Sequence, residues 1–287
     1  MKKITLLMKP PGNNMGVDTS FWDSLRGRIL TKRGGWIIGE AVYNCGYSML
    51  DDLVGSTTFF QVLILNVTGR LPERRIADWF EALFICLSWP DARVWCNQIG
   101  SLAGTLRCSP VAAVCSGTLA SDSNMYGPGT LLAATNFISE ALEMHKNGLS
   151  AEEIISKHQR RPTSPPNIVG YGRPVAKGDE RVAAMLRTAK QLDFGKGDHL
   201  KLALELEAVI GEKFNESMNL AGYLTAFLCD LGFNATEIYR ISSMMVNSGV
   251  HACYAEAADN PPEAFFPLQC NDIDYQGIAP RPLPARE

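Results

Sequence analysis

The sequence predicts an all-α protein. Helical periodicity dominates the chain, and no stretch alternates apolar and polar residues in the way that is typical of a strand. Prolines and glycines interrupt the helical periods, as at Pro90 and Gly148, and they divide the pattern into about ten separate helices. With 287 residues, 46% of them hydrophobic, the chain is long enough to bury a large core.

Several predicted helices have recognisable ends. Residues 57–68 stop at Gly69, a residue that favours the left-handed conformation after a helix. Ser109 is an N-cap before a proline, and Ser150 begins a capping box with a glutamate three residues later. The complete predicted set is residues 57–68, 73–89, 92–106, 110–119, 129–147, 150–157, 179–192, 198–214, 218–231 and 236–258.

A polar, proline-rich loop over residues 159–166 separates a large helical body from a smaller lobe. The predicted organisation has four parts. They are an N-terminal segment (1–35), the first part of a large domain (36–158), a small domain (159–232), and a return to the large domain with a C-terminal tail (233–287).

Composition excludes several classes of protein. The net charge of −3 does not favour a nucleic-acid binder that works through bulk positive charge. The most apolar run, residues 59–67, is too short to span a bilayer, and residues 4–8 are too short for a signal-peptide core. The eight cysteines include no Cys-x-x-Cys pair, so no metal site is predicted. We expect a cytoplasmic protein that binds neither nucleic acid nor membrane.

One glycine-rich, basic stretch stands out before a predicted helix. Gly170 and Gly172 permit a tight turn and a close approach of a ligand to the backbone. Lys177 and Arg181 lie four residues apart, so both can face one anion near the N-terminus of a helix that starts at Asp179. The stretch therefore predicts a phosphate or carboxylate site, and a surface loop with solvated charges is the alternative.

Six segments agree in order and spacing with one known family over about residues 35–280. They are Gly46–Leu53 (GYSMLDDL), Asn66–Pro72 (NVTGRLP), Ile168–Arg181 (IVGYGRPVAKGDER), Asn219–Phe233 (NLAGYLTAFLCDLGF), Gly249–Glu256 (GVHACYAE) and Asp274–Gly277 (DYQG). On these segments the chain resembles the citrate synthase family, including its short citryl-CoA lyase-like members.

The resemblance implies an all-α fold of a large and a small domain, an obligate homodimer, and an acyl-CoA in the cleft between lobes. It also implies aldol or Claisen-type chemistry, with the coenzyme A thioester as substrate and no permanently bound cofactor. Lys177 matches the position that binds coenzyme A phosphate in the family, beside Gly170 and Gly172. Arg181 matches the position that binds the substrate carboxylate.

The chain differs from the family at the positions whose side chains transfer protons or activate carbonyl groups. The family removes a proton next to the thioester with an aspartate, and that position is Ala221 here. Two family histidines activate the carbonyl groups, and their positions carry Arg173 and Tyr126. A family arginine that binds carboxylate falls on Val246, and Asp91 lies near the family's upstream Asp-His segment.

The first hypothesis is a diverged enzyme that makes or cleaves a C–C bond in an acyl-CoA. Tyr126 and Arg173 then activate carbonyls, and Tyr126 or Asp91 takes the proton of the tertiary alcohol during cleavage. The alternative is a catalytically inactive dimer that binds coenzyme A as a sensor or an assembly partner, which Ala221 favours. A third hypothesis is hydrolase or isomerase chemistry on a related carboxylated substrate. Tyr126 could instead only pack a turn, and Arg173 could only pair with Asp179 or Glu180.

Overall fold

Twelve α-helices and one small sheet make up the described part of the chain, which in this computed structural model is residues 18–173, 177–262 and 270–284. The predicted all-α fold class is confirmed. The chain divides into two units between Ser56 and Thr57. The predicted boundaries of the large and small domains, at residues 159 and 232, stay predictions.

The first unit contains a short helix, α1 (Ser20–Ser24), and an antiparallel sheet that the sequence did not predict. Its strands β1 (Gly34–Ile37), β2 (Ala41–Asn44) and β3 (Tyr47–Ser48) pair in chain order, and one π-helical turn follows (Met49–Leu53). The expectation of essentially no sheet was wrong, because these strands are specified by their turns. Cys45 and Gly46 both have positive φ, at 50° and 90°, and close a two-residue hairpin.

The second unit holds the other helices, and most of them match the predicted set within a few residues. They are α2 (Phe59–Thr68), α3 (Arg74–Leu87), α4 (Trp95–Thr105), α5 (Pro110–Ser121), α6 (Gly129–Lys146), α7 (Ala151–Lys157), α8 (Glu180–Gln191), α9 (Asp198–Phe214), α10 (Leu220–Asp230), α11 (Ala235–Ser242) and α12 (Asn247–Asp259). The predicted caps operate as expected. Ser109 and Ser150 accept hydrogen bonds from backbone N–H groups of α5 and α7, and Gly69 is left-handed after α2.

The predicted helix over residues 236–258 is two helices, α11 and α12. Tight turns at residues 243–246 separate them, with Met245 N–H donating to the carbonyl of Ser242. The apolar period runs through this break, so periodicity alone joins the two helices. Beyond the break Gly249 packs against the backbone: a Cβ there would lie 2.8 Å from the carbonyl oxygen of Trp89.

Helix α10 is the central element of the second unit, since eight of its eleven residues are buried. Its Tyr223 and Phe227 lie beside Trp79 of α3, with the Trp79 and Phe227 rings stacked at 4.4 Å. Burying such aromatic side chains removes a large apolar area from water, so the position of α10 is strongly fixed. The N-terminus of α10 is where the predicted binding residues meet.

Glycines allow α4 to approach α12 closely. A Cβ on Gly100 would lie 2.8 Å from the carbonyl oxygen of Val250, and one on Gly104 would lie 2.5 Å from that of Tyr254. These distances are shorter than normal van der Waals contact, so only glycine fits at either position without a shift of one helix.

We predict that replacing Gly104 with alanine lowers the free energy of unfolding by about 1–3 kcal/mol, because the methyl group has to displace α12. Gly211→Ala in α9 is the matched control, since a Cβ there would lie 3.4 Å from the nearest backbone oxygen. Alanine favours helix over glycine by about 1 kcal/mol, so the control is expected to be neutral or stabilising. Denaturant unfolding followed by circular dichroism measures both. Equal stability of Gly104→Ala and the parent would contradict the close packing of α4 on α12.

Candidate active site

The predicted binding residues lie in two described stretches, 168–173 and 177–181, here called the cation segment. The first stretch is held against the approach to α10 by backbone pairing. Gly172 N–H donates to the carbonyl of Ser217 at 2.8 Å, and Asn219 N–H donates to that of Gly170 at 2.9 Å. The Asn219 side-chain amide also donates to the carbonyl of Gly172 at 2.8 Å. Three hydrogen bonds therefore fix this turn on the end of α10.

Gly170 and Gly222 make a contact of backbone on backbone. A Cβ on Gly170 would lie 2.8 Å from the Cα of Gly222, and one on Gly222 would lie 2.4 Å from the carbonyl oxygen of Gly170. Gly170 and Gly172 also have positive φ, at 108° and 80°. Gly170 therefore lets α10 approach the turn closely, and the approach of a ligand that the sequence suggested for these glycines stays a prediction.

The carboxylate of Asp179 joins the elements of the site, and its side chain is fully buried. It accepts hydrogen bonds from Nε and Nη2 of Arg181, at 2.8 and 2.7 Å, and from the backbone N–H of Leu220, at 2.9 Å. Burial alone would raise the pKa of this carboxyl, but the hydrogen bonds and charge of Arg181 and the N–H of Leu220 outweigh burial and lower it. Asp179 is the N-cap of α8, so the helix begins one residue after the start that the sequence predicted.

Arg173 is largely buried and is paired with acidic residues. Its Nη1 lies 2.8 Å from Glu180 and 4.0 Å from Asp179, and the side chain is 14% exposed. The pairing that the sequence left open as an alternative is therefore present. However, Nε and Nη2 of Arg173 make no hydrogen bond within the described residues. The N–H groups of these two nitrogens therefore stay available as donors.

Lys177 and Arg181 are the other two cations of the cation segment. The Lys177 ammonium donates to the side-chain oxygen of Asn215, which follows α9 in the left-handed conformation. Arg181 uses Nε and Nη2 for Asp179 and keeps Nη1 without a hydrogen bond among the described residues. Both cations are thus oriented by neighbouring polar groups while part of each remains open to a ligand.

Ala221, which the resemblance assigns to the position of the family's aspartate, stands in the first turn of α10. Its N–H donates to the Asn219 side-chain oxygen at 2.9 Å, and the Gly222 N–H does so at 3.3 Å. Asn219 therefore caps the helix and also binds Gly172. A methyl group at residue 221 accepts no proton, so the family's proton transfer does not operate from this position.

Tyr126 belongs to the turn before α6. Its N–H donates to Ser123 Oγ at 3.0 Å, and its ring packs on Trp95 with centroids 4.1 Å apart. Tyr126 as a whole is 38% exposed, and its hydroxyl makes no hydrogen bond within the described residues. Tyr126 thus packs a turn, as the alternative had it.

Asp91 is bound by its near neighbour Arg93. The guanidinium donates to both carboxylate oxygens, with Nε 3.0 Å from Oδ1 and Nη2 2.6 Å from Oδ2. The side-chain hydrogen bonds of Arg93, followed by its backbone N–H, lower the pKa of Asp91 to about 2. No hydrogen bond or ring contact of the described residues joins Asp91 or Tyr126 to the cation segment.

Three residues of this site carried no motif of their own in the sequence. Asn215, Glu216 and Ser217 form the link between α9 and α10 that lies along the cation segment. An asparagine after a long helix is a signal for a left-handed C-cap, and Asn215 has φ of 59°. That signal predicts that the chain reverses at Asn215, but it does not predict which residues the reversed chain contacts.

In residues 18–173, 177–262 and 270–284, no group of three or more histidine, cysteine, aspartate or glutamate side chains is arranged to hold a metal ion. None of the helices in these ranges combines the length and the apolar character needed to cross a membrane.

Known structures share this arrangement of helices. Citryl-CoA lyase from Hydrogenobacter thermophilus is 26% identical to the chain, over 89% of this chain and 97% of that one, with a TM-score of 0.75. The chain is citrate synthase-like. The predicted resemblance is confirmed, although no protein-family model and no curated protein matches the sequence.

Two more distant structures share the fold. ATP citrate lyase from Methanothrix soehngenii, solved with citrate and coenzyme A, is 17% identical, with a TM-score of 0.74. The match covers 97% of the citrate synthase-like chain but only 47% of that larger protein. A citrate synthase from Thermoplasma acidophilum, solved with carboxymethyl coenzyme A and oxaloacetate, is 15% identical over 79% of this chain and 59% of that one, with a TM-score of 0.61.

We predict that Asp179→Asn destabilises the protein by about 2–4 kcal/mol at neutral pH, because it leaves the Arg181 charge without its buried partner. Since folding lowers the Asp179 pKa from its ordinary 3.8, this stability is present above pH 3.8 and is lost as the pH falls through the lower, folded-state value. The deficit of the variant should therefore shrink in acid.

Urea unfolding at neutral pH and at several values below pH 3.8 measures this difference. Asp198→Asn is the control, because that side chain is 70% exposed. It should change stability by less than about 1 kcal/mol. A deficit for Asp179→Asn that stays constant into acid would show that the charge of Asp179 is not the stabilising feature.

Proposed function

We propose that this chain is a diverged citrate synthase-like enzyme that makes or cleaves a C–C bond in an acyl-CoA, in the manner of a citryl-CoA lyase. The observation that carries the proposal is the cation segment, whose three cations are oriented beside a fixed glycine turn at the N-terminus of α10. The 26% identity to a citryl-CoA lyase over 97% of that protein supports it.

Binding of the substrate is assigned to the cation segment. Lys177 is assigned to the phosphates of coenzyme A. Gly170 and Gly172, which the sequence also assigned to the coenzyme, face α10 and Glu216 instead, and the Gly172 N–H already donates to the carbonyl of Ser217. The free Nη1 of Arg181 receives the substrate carboxylate. Coenzyme A enters as part of the substrate in this proposal, and no cofactor is held between turnovers.

Arg173 is assigned to the charge that develops on the thioester oxygen. Its Nε and Nη2 have no partner among the described residues, while Glu180 and Asp179 orient the guanidinium through Nη1. A fixed, permanently charged donor in a largely buried position stabilises an enolate without reorganisation during the reaction.

Tyr126 is assigned to the keto-acid carbonyl or to the proton of the tertiary alcohol. Its hydroxyl makes no hydrogen bond within the described residues. Asp91 suits the second role less well, because a carboxylate with a pKa of about 2 that is engaged by Arg93 is a weak base.

One observation favours the alternative of a catalytically inactive dimer that binds coenzyme A. Residue 221 carries a methyl group where the family removes its proton, while the frame around it is complete, with Asn219 capping α10 and Asp179 bound to Leu220. A frame that lacks its base serves a sensor or an assembly partner equally well. The two functions differ in turnover and not in binding.

The proposal includes a homodimer, for which α5 offers a surface. Ala113 and Gly117 face the interior, whereas Val111, Cys115 and Leu119 lie four residues apart on the other face and are exposed. Val111 is 73% and Leu119 is 77% exposed. A helix that is apolar on both faces requires a partner on each, and a second copy of the chain is the partner that the family resemblance implies.

We expect coenzyme A and acetyl-CoA to stabilise the protein by about 2.7 kcal/mol at one hundred times the Kd, because they bind only the folded state. Arg173→Ala should reduce turnover of citryl-CoA about 10²–10³-fold while the stabilisation by coenzyme A persists. Thermal unfolding with ligand and an assay of released acetyl-CoA measure the two effects. Arg187→Ala, on the exposed side of α8, is the control for loss of a surface charge.

The outcomes separate the functions. Unchanged turnover in Arg173→Ala would remove Arg173 from the site. Stabilisation by coenzyme A without any turnover by the parent protein would favour the inactive dimer. The absence of stabilisation by every coenzyme A species would contradict both functions.

We predict that Leu119→Asp converts the dimer into a monomer, because it buries a carboxylate in an apolar interface. Size-exclusion chromatography with light scattering gives the molar mass. Ile85→Asp on α3, where the isoleucine is 68% exposed, is the matched control and should stay dimeric. A Leu119→Asp protein that remains dimeric would place the interface elsewhere.

A further inference from the structure

A carboxylate without a partner lies over the glycine turn of the cation segment. A Cβ built on Gly172 would lie 3.2 Å from Oε2 of Glu216 and 3.7 Å from its Cδ. Glu216 is partly buried, and among the described residues it makes no hydrogen bond and no ion pair. It differs in this respect from Asp179 and Glu180, which are both engaged by arginines.

The backbone on both sides of Glu216 is fixed. Asn215 ends α9 in the left-handed conformation, and Ser217 accepts the N–H of Gly172 at 2.8 Å. Met218 pairs with Tyr171 in an antiparallel bridge, and its N–H donates to Glu207 Oε1 at 3.0 Å. The chain itself therefore holds the carboxylate beside the turn, although its oxygens bind none of the residues that the structure describes.

Glu216 lies beside the glycine turn that Asn219 joins to the first turn of α10, where Ala221 stands. Asn219 connects the two, since its side chain donates to the Gly172 carbonyl at 2.8 Å and accepts the Ala221 N–H at 2.9 Å. Glu216 approaches Gly172 from the link before α10, and Ala221 follows from the first turn of that helix. Both flank the same contact of turn and helix.

We propose that Glu216 is the general base of this site and replaces the carboxylate that the family carries at the position of Ala221. This inference rests on the proposed function. The Glu216 carboxylate removes a proton from the carbon next to the thioester carbonyl. The C–H bond breaks and an O–H bond forms on Glu216. The electron pair of the C–H bond forms the C=C bond of an enolate, and the negative charge goes to the thioester oxygen near Arg173. Reprotonation of the carbon is the same step in reverse.

The test is exchange of the acetyl protons of acetyl-CoA in D₂O, followed by mass spectrometry, because this step needs no keto acid. We expect Glu216→Gln to slow exchange about 10²–10⁴-fold, the usual contribution of a general base. Binding of acetyl-CoA, measured by calorimetry, should be unchanged. Glu212→Gln, an exposed glutamate on α9, is the matched control and should exchange like the parent. Formate should partly restore exchange in Glu216→Ala, because a small carboxylate fits the space that the side chain leaves.

Each result decides the matter. Loss of exchange in Glu216→Gln, with intact binding and rescue of Glu216→Ala by formate, supports Glu216 as the base. Parental exchange in Glu216→Gln would overturn this inference and leave the proposed function standing. Loss of exchange without any rescue by formate would assign Glu216 a structural role and overturn it too. If the parent binds acetyl-CoA but catalyses neither exchange nor C–C cleavage, the proposed function fails and the role of Glu216 fails with it.

Discussion

The buried carboxylate of Asp179 is the constraint on which the site depends. It caps α8, binds Arg181 through two hydrogen bonds and accepts the first N–H of α10 from Leu220. A buried charge is stable only when its partners surround it, so the ends of two helices and one arginine must arrive together. The orientation of Arg181 and Arg173 follows from this arrangement, because Arg173 lies near the same carboxylate, whereas Lys177 is oriented by Asn215.

The position of α10 extends that constraint through the second unit. Its aromatic residues lie in the core beside Trp79, and its first turn receives the glycine turn through Asn219. The hydrophobic interior therefore fixes one end of the site, while hydrogen bonds fix the other. Ala221 contributes only its backbone N–H to this cap, so the cap does not depend on which side chain stands at residue 221.

Local chemistry was enough to predict most of the fold. The capping box at Ser150, the N-cap at Ser109 and the glycine after α2 act within a few residues, so the sequence displays both partners of each contact. The sequence did not predict the hairpin near Cys45, because its strands do not alternate apolar and polar residues. It did not predict the break at residues 243–246 either, because the apolar spacing continues through the break. In both cases the backbone changes direction without a change in the apolar pattern.

The grouping of Lys177, Asp179 and Arg181 was predictable for a similar reason, because the three residues lie in one short motif. The partners of that motif were not. Asn215 and Glu216 reach it only after α9 has packed and reversed the chain, and periodicity contains no information about such a contact between distant residues. The pairing of Asp91 with Arg93 is local, but its effect on basicity depends on geometry that the sequence does not give.

The contact between Gly170 and Gly222 has a consequence for how this chain can diversify. Since neither residue has room for a side chain, this buried contact consists of main-chain atoms. Side chains can vary only at the positions around it, of which Arg173 and Glu216 are examples. A lineage can therefore change this region by a few substitutions at the rim, without remodelling the backbone contact that joins the turn to α10.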